Sequence, residues 1–194
     1  ASVCFPLEHI HEEPYYCTWT YRARVLFHTN TMRILPAMQT LIRDIVAKTR
    51  EPGFADSLKT LLMDICEIDT TPNSDVSVMR DAESAVFDIL EDRLDACPFP
   101  GARRERRKIN PAIALHPAYS KLHFTKTEDR PEGLSPEEVY AERANLLYFV
   151  PGKDGAEGPD GVAVNAHIDV VKPFMPPRYE DGIVYGRGSC DDKG

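Results

Sequence analysis

Long hydrophobic runs are absent from this 194-residue chain: no stretch approaches the about 18 consecutive apolar side chains a membrane span needs. The N-terminus mixes charged and aromatic residues and lacks the basic-then-apolar order of a secretory signal. Cysteine is sparse. The five present (Cys4, Cys17, Cys66, Cys97, Cys190) are odd in number, widely spaced and without short-range metal-type pairing, which reads as reduced thiols in an intracellular, cytoplasmic protein. Basic charge is in deficit, 23 Lys and Arg against 31 Asp and Glu for a formal charge of −8, and this argues against nucleic acid as the main partner. Glycine and proline are scarce in one half only. Residues 1–97 hold one glycine and five prolines, whereas residues 98–194 hold ten and eleven, so the first half is expected to be helical and the second to be strands joined by loops. The length suits one ordinary domain able to bury a core without disulfides, and no internal repeat is visible.

Met38, Leu41, Ile42, Ile45 and Val46 recur at helical spacing, and Pro52-Gly53 closes that segment. A second helix is expected over Phe54, Leu58, Leu61, Leu62 and Ile65, ending before the turn Thr70-Thr71-Pro72-Asn73. In the third, Val78, Ala82, Ala85, Val86, Ile89, Leu90 and Leu94 form one apolar stripe, charged residues take the other faces, and Pro98 ends the run. Short apolar runs predict strands at 112–115, 121–124, 146–150, 162–166 and 183–185. Those at 146–150 and 162–166 are nearly continuous in apolar character, as in an α/β sheet covered on both faces. Residues 151–161, with four glycines and two prolines, form a loop. Residues 1–36 have weak periodicity and read as an extension, an arm, or sequence upstream of a start at Met32 or Met38.

Two clusters carry chemistry. In Asn165-Ala166-His167-Ile168-Asp169-Val170-Val171, placed at a strand end, residues two apart project to one face, so His167 and Asp169 point together. A metal-ligating histidine generally gives its second ring N–H to a carboxylate, a role Asp169 is spaced to take. The second cluster is Gly186-Arg187-Gly188-Ser189-Cys190-Asp191-Asp192-Lys193-Gly194. Its glycines allow a sharp turn, and its adjacent carboxylates are hard oxygen ligands for a divalent cation. Alone, each cluster reads more readily as a structural histidine or a solvated turn than as a metal site.

Together they resemble the di-zinc metallopeptidase and amidohydrolase family of carboxypeptidase G, aminoacylase and succinyl-diaminopimelate desuccinylase. The first family signature, His-x-Asp-x-Val, is met by His167, Asp169 and Val171, and the second, Gly-Arg-Gly-x-x-Asp-x-Lys-Gly, by Gly186, Arg187, Gly188, Asp191, Lys193 and Gly194. The resemblance spans about residues 54–194, leaving 1–53 as an N-terminal extension and helix. It implies an α/β fold: part of a three-layer zinc-peptidase-like catalytic domain, helices first and then a mixed sheet. It implies two zinc ions, other divalent metals being acceptable, with His167 on one ion, Asp169 orienting that histidine and Asp191 bridging both. It makes the bond after Asp191 a place for a cis peptide. The implied substrate is a small peptide or an N-acyl amino acid, hydrolysed by metal-activated water, with no nucleic acid or membrane partner and with a homodimer forming through a domain beyond these residues. The family's general-base glutamate and remaining ligands lie downstream of the second signature. The expectation is therefore a fragment that binds zinc weakly and is inactive alone. Departures from the family are a short stretch between the signatures, Ala166 where glycine is usual, and Lys172 before Pro173. The alternative is a non-catalytic α/β interaction module that retains the scaffold.

The remaining features read as structural. Arg103-Arg104-Glu105-Arg106-Arg107-Lys108 is a basic run with no interleaved aromatics, expected as a solvated loop rather than a nucleic-acid contact. His9, His11, His116 and His123 read as surface or loop residues, Cys190 as a small neighbour of the bridge, and Asp192 as less well spaced than Asp191 to be a ligand. Arg187 and Lys193 are expected to shape the turn and neutralise nearby carboxylates.

Overall fold

A computed structural model describes residues 36–97, 99–117, 122–152 and 163–193. The expectations for residues 1–35, including His9 and His11, and for most of the 151–161 loop lie outside them. The chain divides into two compact units, Ala1–Arg43 and Asp44–Gly194. Of the first, the described part is the opening of helix α1 (Pro36–Thr49); all other elements belong to the second. They combine helices with two small antiparallel sheets, broadly an α/β arrangement. Among the described residues no helix is long and apolar enough to cross a membrane.

The helical expectations and the structure agree closely. Helix α2 (Pro52–Glu67) starts on a proline, whose fixed φ and missing N–H suit the first turn. Helix α3 (Val76–Asp95) is capped by Asp75, whose carboxylate accepts the Ser77 N–H at 2.9 Å. Ile65, Cys66 and Val86 are buried between α2 and α3, with Leu61, Leu62, Ile68, Ile89 and Leu90 packed around them. Ile168 joins this cluster from the second half of the chain. The motif segment therefore grows out of the core.

The second half departs from expectation. Strand β1 (Arg103–Lys108) is the basic run itself, paired antiparallel with β2 (Ala144–Phe149), so it is no solvated loop. Alternation in the strand turns Arg104 and Arg106 toward α3. Arg106 donates to both carboxylate oxygens of Glu91 (2.8 and 2.9 Å), to Ser84 (2.9 Å) and to Asp88, while Arg104 pairs with Asp95. The partners that make the run a strand lie at least nine positions away, where a local reading does not look. Arg143, just before β2, forms a two-pronged pair with Glu83 of α3 (2.9 and 2.5 Å), both side chains only 12% exposed.

Strands β3 (Arg178–Glu180) and β4 (Ile183–Tyr185) form the second pair, joined by Asp181 and Gly182 at φ of 51° and 83°. That geometry is the type I′ hairpin turn Asp-Gly favours. Both sheets have two antiparallel strands, where a mixed sheet was expected. The strand expected at 112–115 is a 3-10 turn (Pro111–Leu115), begun by Asn110, whose side chain caps the Ala112 N–H at 3.0 Å. The one expected at 121–124 is the 3-10 turn His123–Thr125, with residue 121 outside the description. Residues 163–166 have no regular structure and no ladder partner among the described residues, and they are exposed, Val164 at 93%, rather than covered on both faces. Helix α4 (Pro136–Tyr140) is set by a capping box between Ser135 and Glu138.

Candidate metal centre

Two segments without regular structure build the site. The first, residues 163–171, is fastened to the turn after α2. The Thr70 hydroxyl donates to the Ile168 carbonyl at 2.6 Å, and the Val170 N–H donates to the Thr70 carbonyl at 3.4 Å. With Ile168 in the core and Val170 buried, the alternate residues His167 and Asp169 are turned outward.

The second segment runs from β4 into the Asp pair. Gly186 and Gly188 hold φ of 153° and 90°, and a Cβ on either would collide, with Pro177 at 2.9 Å and with the Val170 side chain at 2.8 Å. Only glycine gives both the backbone angles and the close approach. The Lys193 N–H returns to the Gly188 carbonyl at 3.1 Å and closes a loop with Asp191 near its apex. The Asp191–Asp192 peptide bond is cis, at the place the resemblance implies, and the Lys172–Pro173 bond is cis as well.

The structure brings His167, Asp169 and Asp191 together. His167 Nε2 lies 3.3 Å from Asp191 Oδ1, and its Nδ1 lies 2.9 Å from the main-chain oxygen of Asp169 and 3.5 Å from that residue's carboxylate. Orientation of the imidazole by Asp169 therefore runs mainly through its main chain, since outside a strand ladder the carboxylate stands largely in solvent. Bonding to a carbonyl requires the proton on Nδ1, so the neutral ring presents its lone pair from Nε2, the face Asp191 shares. That hydrogen bond, followed by the charges of Asp169, Asp191 and Asp192, raises the His167 pKa against a partial burial that lowers it. Asp192, weighed as a ligand, instead accepts the His167 main-chain N–H at 3.4 Å.

Two ligand atoms of one tetrahedral zinc ion, each about 2.1 Å from it, stand about 3.4 Å apart. The His167–Asp191 spacing of 3.3 Å and the presented lone pair fit that requirement for one pair of donors. Among the described residues no group of three or more His, Cys, Asp or Glu converges to hold an ion. Cys190 is exposed, and His116 and His123 belong to the 3-10 turns.

The expectation for Arg187 and Lys193 agrees with the structure in that both shape the turn, and is corrected for the charge of Lys193. Lys193 neutralises no carboxylate directly: its side chain is buried at 8% exposure, and Nζ donates to the carbonyls of Ile65 (3.0 Å) and Ile68 (2.8 Å). Burial lowers its pKa, against the raising influence of Cys66 and Asp69. Arg187 Nε donates to the Pro173 carbonyl at 3.1 Å and so shapes the loop before β3. The roles of Thr70, Asp192 and Lys193 were not apparent in the sequence. Asp192 and Lys193 carried a signal as charged members of the second cluster, and Thr70 carried none.

Comparison with protein-family models, curated proteins and solved structures gives no match for this chain.

Proposed function

We propose that this chain is part of the three-layer catalytic domain of a zinc-dependent hydrolase acting on a peptide or N-acyl amino acid amide bond. The observation that carries the reading is the approach of His167 Nε2 to Asp191 Oδ1 at 3.3 Å, with the other ring nitrogen fixed by Asp169. Zinc bound there would supply a Lewis acid for the scissile carbonyl and lower the pKa of a water.

The chain's own residues do the rest of what can be derived. His167 offers a neutral nitrogen donor in a set tautomer, and Asp191 offers an exposed carboxylate, 88% accessible, whose second oxygen is available to another ion. Asp192 holds the main chain of His167 through its carboxylate.

The test is zinc content and zinc-stimulated hydrolysis of a panel of dipeptides and N-acetyl amino acids by the full-length protein that carries the downstream ligands and general base, with wild type beside His167→Ala and Asp191→Ala. Loss of bound zinc and of turnover in both variants is expected. Equal zinc content and turnover in all three proteins would refute the reading.

A further inference from the structure

The buried lysine of the second segment has a geometry that the hydrolase reading does not use. The last carbonyls of a helix lack intrahelical partners and attract cations through the helix dipole. Helix α2 has no basic residue in its last turn, where Asp64 and Glu67 add negative charge at the wrong end. The cation arrives from 125 and 128 positions away: Lys193 Nζ donates to Ile68 and Ile65. Its stem is fixed too, because Gly188 lies against it so closely that a Cβ there would be 3.1 Å from Lys193 Cδ. The main-chain N–H of the same residue closes the loop onto Gly188. Lys193 is thus held at its head, stem and backbone, and Asp191 is two residues away.

The same helix end holds the opposite arm. Thr70, in the turn just beyond α2, bonds to the main chain on both sides of Asp169, at Ile168 and Val170. His167 and Asp191 therefore face each other across a common anchor, though neither touches it.

The geometry points to Lys193 as the positioning residue of this site, a cation that ties the Asp191 loop to the end of α2 and so sets the His167–Asp191 spacing. Its geometry is independent of the metal, whereas its consequence for zinc rests on the hydrolase reading. Lys193 touches no substrate and no ion in this scheme. Its removal frees the loop, leaves two helix-end carbonyls unpaired and lets Asp191 drift from His167.

The experiment compares wild type with Lys193→Met, which keeps the stem and removes the donors, and Lys193→Arg, which keeps the cation. Two quantities are read: the zinc Kd, by competition with a chromophoric chelator, and hydrogen-exchange protection of the residue-193 amide and the last turn of α2. Lys193→Met is expected to weaken zinc about tenfold or more, the scale for losing a group that orients ligands. It is also expected to lose protection at residue 193, with Lys193→Arg recovering part of both. A folded Lys193→Met protein with unchanged zinc Kd and unchanged protection overturns the inference and leaves the hydrolase reading standing. Wild type that binds no zinc, with protection still lost in Lys193→Met, supports the tether and overturns the hydrolase reading. If Lys193→Met fails to fold, wild type alone decides. A residue-193 amide exchanging in step with the last turn of α2 supports the tether, and one exchanging freely overturns it.

Discussion

The β1–α3 face and the candidate metal centre both gather charge, but they are held in opposite ways. On the first, basic side chains of β1 and the residue before β2 meet carboxylates of one helix: Arg106 alone reaches Glu91, Asp88 and Ser84, and Arg143 grips Glu83 with two nitrogens. The bonds are several, and all but that of Arg143 run between a strand and a helix. On the second, the exposed groups His167 and Asp191 ride on irregular segments, and their placement depends on the interior contacts of Thr70, Lys193, Gly186 and Gly188. Charge on the first face is neutralised within the fold, whereas at the site carboxylates outnumber their cation.

The comparison is broken most severely at Arg143. It and Glu83 are nearly buried, so Arg143→Ala strands a carboxylate, with an expected cost of about 3–5 kcal/mol. Chemical denaturation should show the loss as a lower midpoint. Gly188→Ala should cost about 2–3 kcal/mol, since its φ of 90° and the 2.8 Å approach to Val170 both oppose a Cβ. Its distinguishing mark is local: hydrogen exchange should rise in residues 186–193 and 167–170 while β1 and β2 stay protected. An equal rise in all four segments would show that the two regions are one cooperative unit.

The smallest effect is on pH. The hydrogen bond from Arg106 holds the Glu91 carboxyl below its ordinary value of 4.5 against the raising influence of burial. A depressed carboxylate contributes stability that is fully present above its unfolded value and lost as pH falls through the folded one. The contribution of Glu91 to thermal stability should therefore be constant from neutrality to about pH 5 and decline below that. In Arg106→Ala the acid decline should be shallower, by about 1 kcal/mol between its two ends.

The helices were legible because their signals are local: the apolar stripes of α2 and α3 lie within the elements they define, although Pro52-Gly53, expected to close the first helical segment, instead starts α2. The second half was less so because its structure is set by distant partners. The run 103–108 becomes a strand by pairing with residues 144–149, its arginines meeting carboxylates on α3, and residues 163–166, apolar enough for a strand, pair with none of the described residues. Two local signals went unread, the Ser135-Pro136-Glu137-Glu138 capping box of α4 and the Asp181-Gly182 turn between β3 and β4. At the site, the motif spacing identified His167, Asp169 and Asp191, which the fold brings together. It did not reveal that Asp169 acts through its main chain or that Lys193 is buried. Side-chain identity does not encode which atom of a residue turns inward, and the helix end that receives Lys193 is more than a hundred positions upstream.

The most direct measurement is the thermal midpoint of wild type and of His167→Ala with and without zinc at fixed pH. An ion that binds only the folded chain stabilises it by about 2.7 kcal/mol at a hundredfold excess over Kd. The expected result is a zinc-dependent rise in wild type that vanishes in His167→Ala. An identical rise in both proteins, or none in either, would contradict the assignment of His167 and Asp191 as facing ligands of one ion.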